Sequence, residues 1–377
     1  MMNTWGEALR LAIFGESHGP AVGITIDGLP AGLPVDQSAV RREMQRRAPG
    51  QNTLTTARQE ADEVEILSGL LDGHTTGAPL CGVIRNSDAH SADYDSRLRP
   101  GHADWTALLK YAGQSDARGG GHFSGRLTAP LVFAGSLAKQ ALAASGVRIY
   151  GRISQIGRVR ETESPAEEAL WRELAKQSFP ARDSAAMQAE IQSAQSQGDS
   201  VGGVVESVAW GLPAGLGEPF FGSMESCLAS LLFSVPAVKA VEFGAGLALA
   251  AQQGSQANDP LTSENGVIYA LSNHNGGILG GITNGMPLLL RAAFKPTPSI
   301  SRPQQSVDGQ SRQPLLLEIR GRHDPCIVWR AVPVVEAALA LAILDRWLLV
   351  RGNDPAAWGW GAIPSEPGQP IQSAGER

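Results

Sequence analysis

Glycine in this chain is gathered into clusters that also carry its most reactive polar side chains, and each cluster borders an apolar run. The first is Gly15-Glu16-Ser17-His18-Gly19. The second runs from Arg118 through Gly119-Gly120-Gly121-His122-Phe123-Ser124-Gly125 to Arg126, and the third spans residues 273–285. Glycine reaches backbone angles closed to other residues, so the chain can reverse sharply there and a ligand can approach the main chain. With 44 glycines and 24 prolines in all, the chain should hold many tight turns and irregular loops. No clean linker and no fixed-period repeat interrupts it, so one interwoven domain over 1–350 is expected, followed by a loosely ordered tail at 351–377.

The elements follow from periodicity. Leu11 to Phe14 and the alternating Val22, Ile24 and Ile26 read as two strands joined by the first glycine loop, which presents His18. A turn with a solvated histidine reads equally well from that heptad alone. Asp36 is placed to cap a helix with Val40 and Met44 on one face and Arg41, Arg42, Arg46 and Arg47 around it, stopped by Pro49-Gly50. Those arginines are either a solvated face or a collector of carboxylates and phosphate, whose oxygens match the guanidinium fork. Arg58 stands where it can join them.

Strands are expected at 64–67 and 80–84, with a polar turn at 72–77 between them. The segment 85–101 reads as a long loop, the kind that is functional or disordered. Asp104 is expected to cap a helix at 105–111, with His102 at the loop-to-helix junction. The second glycine cluster leads into an apolar helix from about Leu127 to Ser145. Backbone N–H groups at such a junction attract an anion, and Arg118, Ser124 and Arg126 strengthen that reading. Further helices are expected at 165–177, 182–195, 222–233 and 331–350, and strands at 201–208 and 287–294. Another strand should end at Gly244, and residues 251–265 read as a mobile surface loop. Lys295-Pro296-Thr297-Pro298-Ser299 reads as a rigid segment able to present donors to a phosphate or a ring carbonyl, or else as a proline-bearing surface turn. Asp324, between His323 and Pro325, is either a salt-bridge partner or a general base.

Composition narrows the function. Apolar residues make up 42% and charged residues 18% of 377, an ordinary globular balance. A net charge of -6 argues against a general nucleic-acid surface, so an anion site must arise from local clustering. Cys81, Cys227 and Cys326 are far apart and odd in number, which suits reduced thiols. No metal spacing is present: His18, His102, His323 and Asp324 form no His-x-x-x-His or paired-carboxylate pattern, which disfavours a metal-dependent phosphohydrolase. The absence of an uninterrupted apolar run of membrane length and of a basic-then-apolar N-terminus leads to the expectation of a cytoplasmic protein.

Taken in order, the chain resembles the chorismate synthase family. The matching stretches are GESHG (15–19), DGLPAGLP (27–34), RPGHAD (99–104), GDSVGG (198–203), GLGEP (215–219), PAVK (236–239), GGILGGITNG (276–285), KPTPS (295–299) and GRHDPC (321–326). Two looser matches lie at 67–77 and 124–129. The resemblance implies an α+β fold, a β-α-β sandwich with helices packed between two largely antiparallel sheets, assembled as a homotetramer. It implies a lyase of the shikimate pathway that supports aromatic amino acid biosynthesis. The reaction would be a 1,4-elimination of phosphate from 5-enolpyruvylshikimate-3-phosphate, giving chorismate with reduced FMN and no net redox change.

It also implies residue roles. His18 would protonate the leaving phosphate, His102 would lie by the flavin, and Asp324 would act with the flavin on the ring proton. Ser17 and Ser124 would relay hydrogen bonds. Arg47, Arg58, Arg99 and Arg126 would bind the substrate, while Ser124, Gly125, Arg126, Pro236, Ala237, Gly280, Lys295 to Ser299 and Arg322 would hold FMN. The chain departs from many members at Ala48 and Thr53, where arginines are common, which bears on the substrate clamp and on any NADP contacts. Leu127 stands where an acidic residue is common. No nicotinamide fingerprint is visible, so an external flavin reductase is expected. The competing reading is a non-catalytic flavin- or phosphometabolite-binding relative, against which stand His18, His102 and Asp324, all retained.

Overall fold

The computed structural model describes residues 3–50, 62–86, 97–319 and 324–352. The expectations for Arg58, Thr53, Arg322, His323, most of the 85–101 loop and the tail lie outside these residues.

Strands β1 (Thr4–Trp5), β2 (Arg10–Gly15) and β3 (Ala21–Asp27) open the chain. The β2–β3 pair is antiparallel and closes at Gly15 opposite Val22, so the first glycine loop is the hairpin connection that periodicity anticipated. Helix α1 (Gln37–Arg47) follows, and the Asp36 side chain accepts from the Ser38 N–H at its N-terminus. Then come β4 (Val64–Ser68), the small hairpin of β5 (Leu70–Leu71) and β6 (His74–Thr75), and β7 (Leu80–Arg85). The first sheet has the order β1-β2-β3-β7-β4, every pair antiparallel.

Helices α2 (Asp104–Lys110) and α3 (Thr128–Ala144) lead to β8 (Arg148–Ile156) and β9 (Val159–Arg160). Helices α4 (Glu168–Ala175) and α5 (Ser184–Ser196) precede β10 (Gly203–Trp210), and α6 (Met224–Ser234) precedes β11 (Val238–Phe243). A short α7 (Gly254–Ala257) is followed by the hairpins β12 (Leu261–Glu264) with β13 (Val267–Ala270) and β14 (Ile278–Leu279) with β15 (Ile282–Thr283). The chain continues with β16 (Leu288–Phe294), β17 (Gln304–Val307), β18 (Pro314–Leu317) and α8 (Val328–Arg351). The second sheet, β11-β16-β10-β8-β9, is also antiparallel throughout.

The two sheets enclose α3 and α8, which pack on each other; α3 rests on β3 and β7, and α8 rests on β8 and β10. Glycines set the close approaches between these layers. A Cβ at Gly82 of β7 would overlap the Phe133 ring of α3, and one at Gly135 of α3 would overlap Ala337 of α8. The helical stretch Gly125–Ala144, which contains α3, is long and apolar enough to cross a membrane, but it lies mostly buried in this core. The polar groups buried beside it are paired. Glu336 of α8 takes Arg46 of α1 at 2.6 Å and also Lys139 of α3. Burial alone would raise the Glu336 carboxyl; these two cations overcome that and hold it at about 2.

Three sequence expectations are corrected. Residues 251–265 are not one irregular loop: they contain α7 and β12, and the β12–β13 turn is Asn265-Gly266, both at positive φ. Asn-Gly is the favoured two-residue hairpin turn, a signal outweighed by the polar composition around it. Asp104 is not the cap of α2 but its first residue, and its carboxylate turns back onto Arg99. Helix α8 begins at Val328, three residues before its expected start, and accommodates Pro333 inside its second turn.

Candidate active site

The loop carrying His18 is held by the second glycine cluster. Ser17 donates its N–H to the Gly121 carbonyl at 3.1 Å, and His122 Nδ1 lies 2.8 Å from the Gly15 carbonyl. A carbonyl only accepts, so Nδ1 of His122 carries the proton. Gly119, at φ +61, lies directly against the His18 ring, and a Cβ there would overlap the imidazole. The Ser17 side chain is 1% exposed, and its Oγ has no hydrogen-bond partner among the described residues. Asp116 also faces this loop. A hydrogen bond from Arg118 lowers its carboxyl most, and His18 lowers it further.

Two of the expected substrate arginines are locked together. Arg47, at the C-terminal end of α1, reaches Asp62 with Nη1 at 2.7 Å, Thr128 with Nε at 3.2 Å and the Gly125 carbonyl with Nη2 at 2.9 Å. Arg126 grips the other oxygen of Asp62 and donates Nε to Asn86 at 2.9 Å. Asn86 in turn donates to the Glu16 and Gly19 carbonyls at 3.0 and 2.8 Å, so the arginine pair is tied to the His18 loop. Glu16 therefore serves the turn with its backbone, since its carbonyl also accepts from the Gly19 N–H. Burial would raise the Asp62 carboxyl, but the two guanidinium groups overcome this and hold it below its usual range. Arg99 is engaged by Asp104 through Nε and Nη2, both at 2.8 Å.

The remaining loops meet on the opposite wall. His102 Nε2 lies 2.7 Å from Ser299 Oγ, and Lys295 Nζ donates to the Gly101 carbonyl, which fastens the RPGHAD loop to the KPTPS segment. Lys295 N–H donates to Ala237 at 3.0 Å, bringing in the 236–239 turn, where Ala237 has φ +74. Burial, and then the charge of Lys239, lowers the Lys295 ammonium. Thr297 Oγ1 is buried with no hydrogen-bond partner among the described residues. Asp324 accepts from Arg330 Nη1 at 2.7 Å, and the Val201 N–H donates to the Pro325 carbonyl at 2.9 Å.

These walls enclose a cavity of ≈1390 Å³. Arg47, Arg99 and Arg126 line it on one side with Ser124 and Gly125, and His102 and Asp324 reach it as well. Pro236, Ala237, Lys295, Thr297 and Pro298 form the other side. Ser17 and His18 stand behind Gly119, which lines the cavity, while Pro296 and Ser299 support the wall from its own segment. Gly280 is not brought to it. The neighbouring Gly281 carbonyl accepts from the Met224 N–H at the start of α6, whereas the cavity lies beyond the C-terminal end of that helix. Sequence reading missed Asp62, Asn86, Asp116, Lys239 and Arg330, which act through contacts that no local pattern announces.

Two antiparallel sheets around buried helices, with distant loops delivering guanidinium, ammonium, imidazole and carboxylate groups to one cavity, define an α+β enzyme for a multiply anionic small molecule. The sequence model of the chorismate synthase family matches residues 9–348. The chain is 48% identical over 353 residues to the chorismate synthase of Methanocella arvoryzae, covering 92% of this chain and 94% of that one. It is 49% identical over 353 residues to the chorismate synthase of Archaeoglobus fulgidus, covering 92% and 98%. A crystal structure of a chorismate synthase superposes with a TM-score of 0.74 at 28% identity, covering 94% of this chain and 96% of that one. The chain belongs to the chorismate synthase family.

Proposed function

We propose that the protein converts 5-enolpyruvylshikimate-3-phosphate to chorismate, removing the 3-phosphate and a ring hydrogen in a 1,4-elimination with no net redox change. The observation that carries this reading is the meeting of the His102 and Asp324 loops around one cation-rich cavity, with His18 packed behind Gly119 of its wall, in a chain of this family.

The residues fit reduced FMN. The cavity, ≈1390 Å³, exceeds the roughly 300–1,000 Å³ of an ordinary single-ligand site, which leaves room for substrate and flavin together. Thr297 Oγ1 is a buried hydroxyl awaiting a partner, and Lys295 beside Lys239 concentrates positive charge for a phosphate tail. Ser124, Gly125, Arg126, the 236–237 turn and Lys295 to Ser299 would hold the flavin, with Arg322 from outside the described residues. Bound there, the reduced flavin would supply transient electron donation with no net redox change.

The chain's own groups supply binding and proton transfer. Arg47 and Arg126 share a single carboxylate, so the trio keeps a net positive charge for the substrate's anionic groups. Arg99 and Arg58 complete the clamp. His18 protonates the departing phosphate oxygen, where negative charge develops. Ser17 and Ser124 relay hydrogen bonds to it. His102, held by Ser299, sets the protonation of the flavin side of the cavity. Asp324 would act at the ring proton, beside the site that would hold the flavin.

Residues 1–350 act as one catalytic domain in this reading, and the protein is a cytoplasmic homotetramer. Phe220 at 86% and Phe221 at 97% exposure, with Val267 and Ile268 also exposed, support association through apolar surface. Ala48 is buried and uncharged, so it offers nothing to NADP, and an external reductase delivers the reduced flavin. The test is anaerobic incubation with reduced FMN and the enolpyruvyl substrate, following chorismate. Folded, flavin-bound protein that forms none overturns the proposal.

A further inference from the structure

Asp324 is not a lone carboxylate at the cavity wall. Its Oδ2 accepts from Arg330 Nη1 at 2.7 Å, and the same guanidinium donates Nε to the backbone carbonyl of Arg47 at 3.0 Å. Arg330 stands in the first turn of α8, and its side chain is 17% exposed. Arg47 is the last residue of α1, where carbonyls lack intrahelical partners and carry the negative end of the helix dipole. One planar fork thus spans the carboxylate and the helix end that carries a substrate arginine. Guanidinium can do this because its donors diverge in fixed directions from one rigid plane; an ammonium on a flexible stem cannot hold two such acceptors in fixed relation.

We propose that Arg330 is a positioning residue for the elimination: it orients the Asp324 carboxylate and locks it in register with the Arg47–Arg126 anion clamp. This rests on the reading of Asp324 as the group that takes the ring proton. The charged and titratable groups around Asp324 come from several elements. Arg330 approaches from α8 and Arg47 from α1, the latter already paired with Asp62. Cys326, on the same loop, has its thiol pushed up to about 12 by burial and stays neutral. Lys239, Lys295 and Glu318 face the shared cavity. Arg330 meets Asp324 by a direct hydrogen bond.

The test compares wild type, Arg330→Gln, Arg330→Lys and Asp324→Asn, with kcat and KM measured and flavin binding measured separately. Arg330→Gln is expected to lower kcat about thirtyfold with KM within about threefold, since orientation of a base matters in the transition state. Arg330→Lys should recover part of that kcat but stay about threefold or more below wild type, because an ammonium cannot hold both acceptors in fixed relation. A loss confined to KM, or a lysine variant no better in kcat than the glutamine one, overturns the proposal. If the glutamine variant does not fold, wild-type kcat in the lysine variant overturns it. Wild-type turnover in Asp324→Asn overturns the underlying reading of Asp324 instead; with that variant slow, the Arg330 variants alone decide.

Discussion

Arg47 and Asp62 form an ion pair at 2.7 Å in which the arginine side chain is 4% exposed and the aspartate side chain is fully buried. Arg126 takes the other carboxylate oxygen, so Asp62 sets the spacing of the two arginines proposed to bind the substrate. Breaking a buried pair leaves a charge unpaired, which costs about 3–5 kcal/mol. Asp62→Asn is expected to destabilise the fold by about 3 kcal/mol and to raise KM about tenfold or more, read by denaturant unfolding and steady-state kinetics. The Asp62 carboxyl is lowered on folding from an ordinary value of 3.8, so its stabilisation is full above that value and is lost as pH falls through the lower folded one. The Asn variant should lack that acid-side loss. A variant as stable as wild type, with unchanged KM, would show that the arginines hold their spacing without it.

Gly119 makes a second, more local prediction. Its φ of +61 is strained for any residue with a side chain, and its Cβ would occupy the space of the His18 ring. Gly119→Ala should therefore displace the imidazole and lower kcat by tenfold or more, while global stability falls by only about 1 kcal/mol. Gly254→Ala is the control, because a Cβ there meets nothing within 4 Å. Equal kinetics in the two variants would remove Gly119 from the positioning of His18.

Legibility in the sequence divides along a physical line. The β2–β3 hairpin, the Asp36 cap and helices α3 and α6 were readable because periodicity and capping are local properties. His102 and Lys295 could be flagged as candidates, since glycine and proline mark out their loops, but not that Ser299 would meet His102. Asp62 gave no signal, and Asn86 none beyond its place at the start of the 85–101 loop. Each lies beside a strand, and its role is made by the arginines it meets from elsewhere in the chain. Arg330 was hidden differently: it stands just before the expected start of the apolar helix at 331, and only the observed α8 takes it into its first turn. The resemblance supplied roles for His18 and Asp324; the carboxylate and guanidinium groups that hold the site in place come from tertiary packing.

At the proposed flavin site, Lys295 is expected to couple binding to pH. Burial, with Lys239 adding repulsion, places its ammonium below the ordinary 10.5, so its charge is lost earlier than usual as pH rises. An anionic phosphate favours the charged form. Flavin affinity should therefore weaken with a midpoint below pH 10.5 in wild type, measured by fluorescence titration. Lys239→Met should move that midpoint upward part of the way, because burial remains. Lys295→Met should bind at least about tenfold more weakly at pH 7 and show no such transition. A midpoint unmoved by Lys239→Met would separate the two lysines electrostatically.

His18 is distinguished from the cavity-lining residues by its place behind Gly119, on a loop held through Ser17, Gly15 and Asn86 rather than through the KPTPS wall. A proton donor to a leaving phosphate is needed most where charge develops in the transition state and little when the cofactor binds. His18→Ala should lower kcat by about 10²–10⁴-fold, the usual worth of a general acid, with flavin Kd changed less than about threefold. The loop itself should survive, since its anchors are backbone groups and His122, so circular dichroism and flavin binding should match wild type. Collapse of flavin affinity in His18→Ala, with turnover per bound flavin preserved, would move His18 from proton donor to cofactor support and leave the leaving group without its acid.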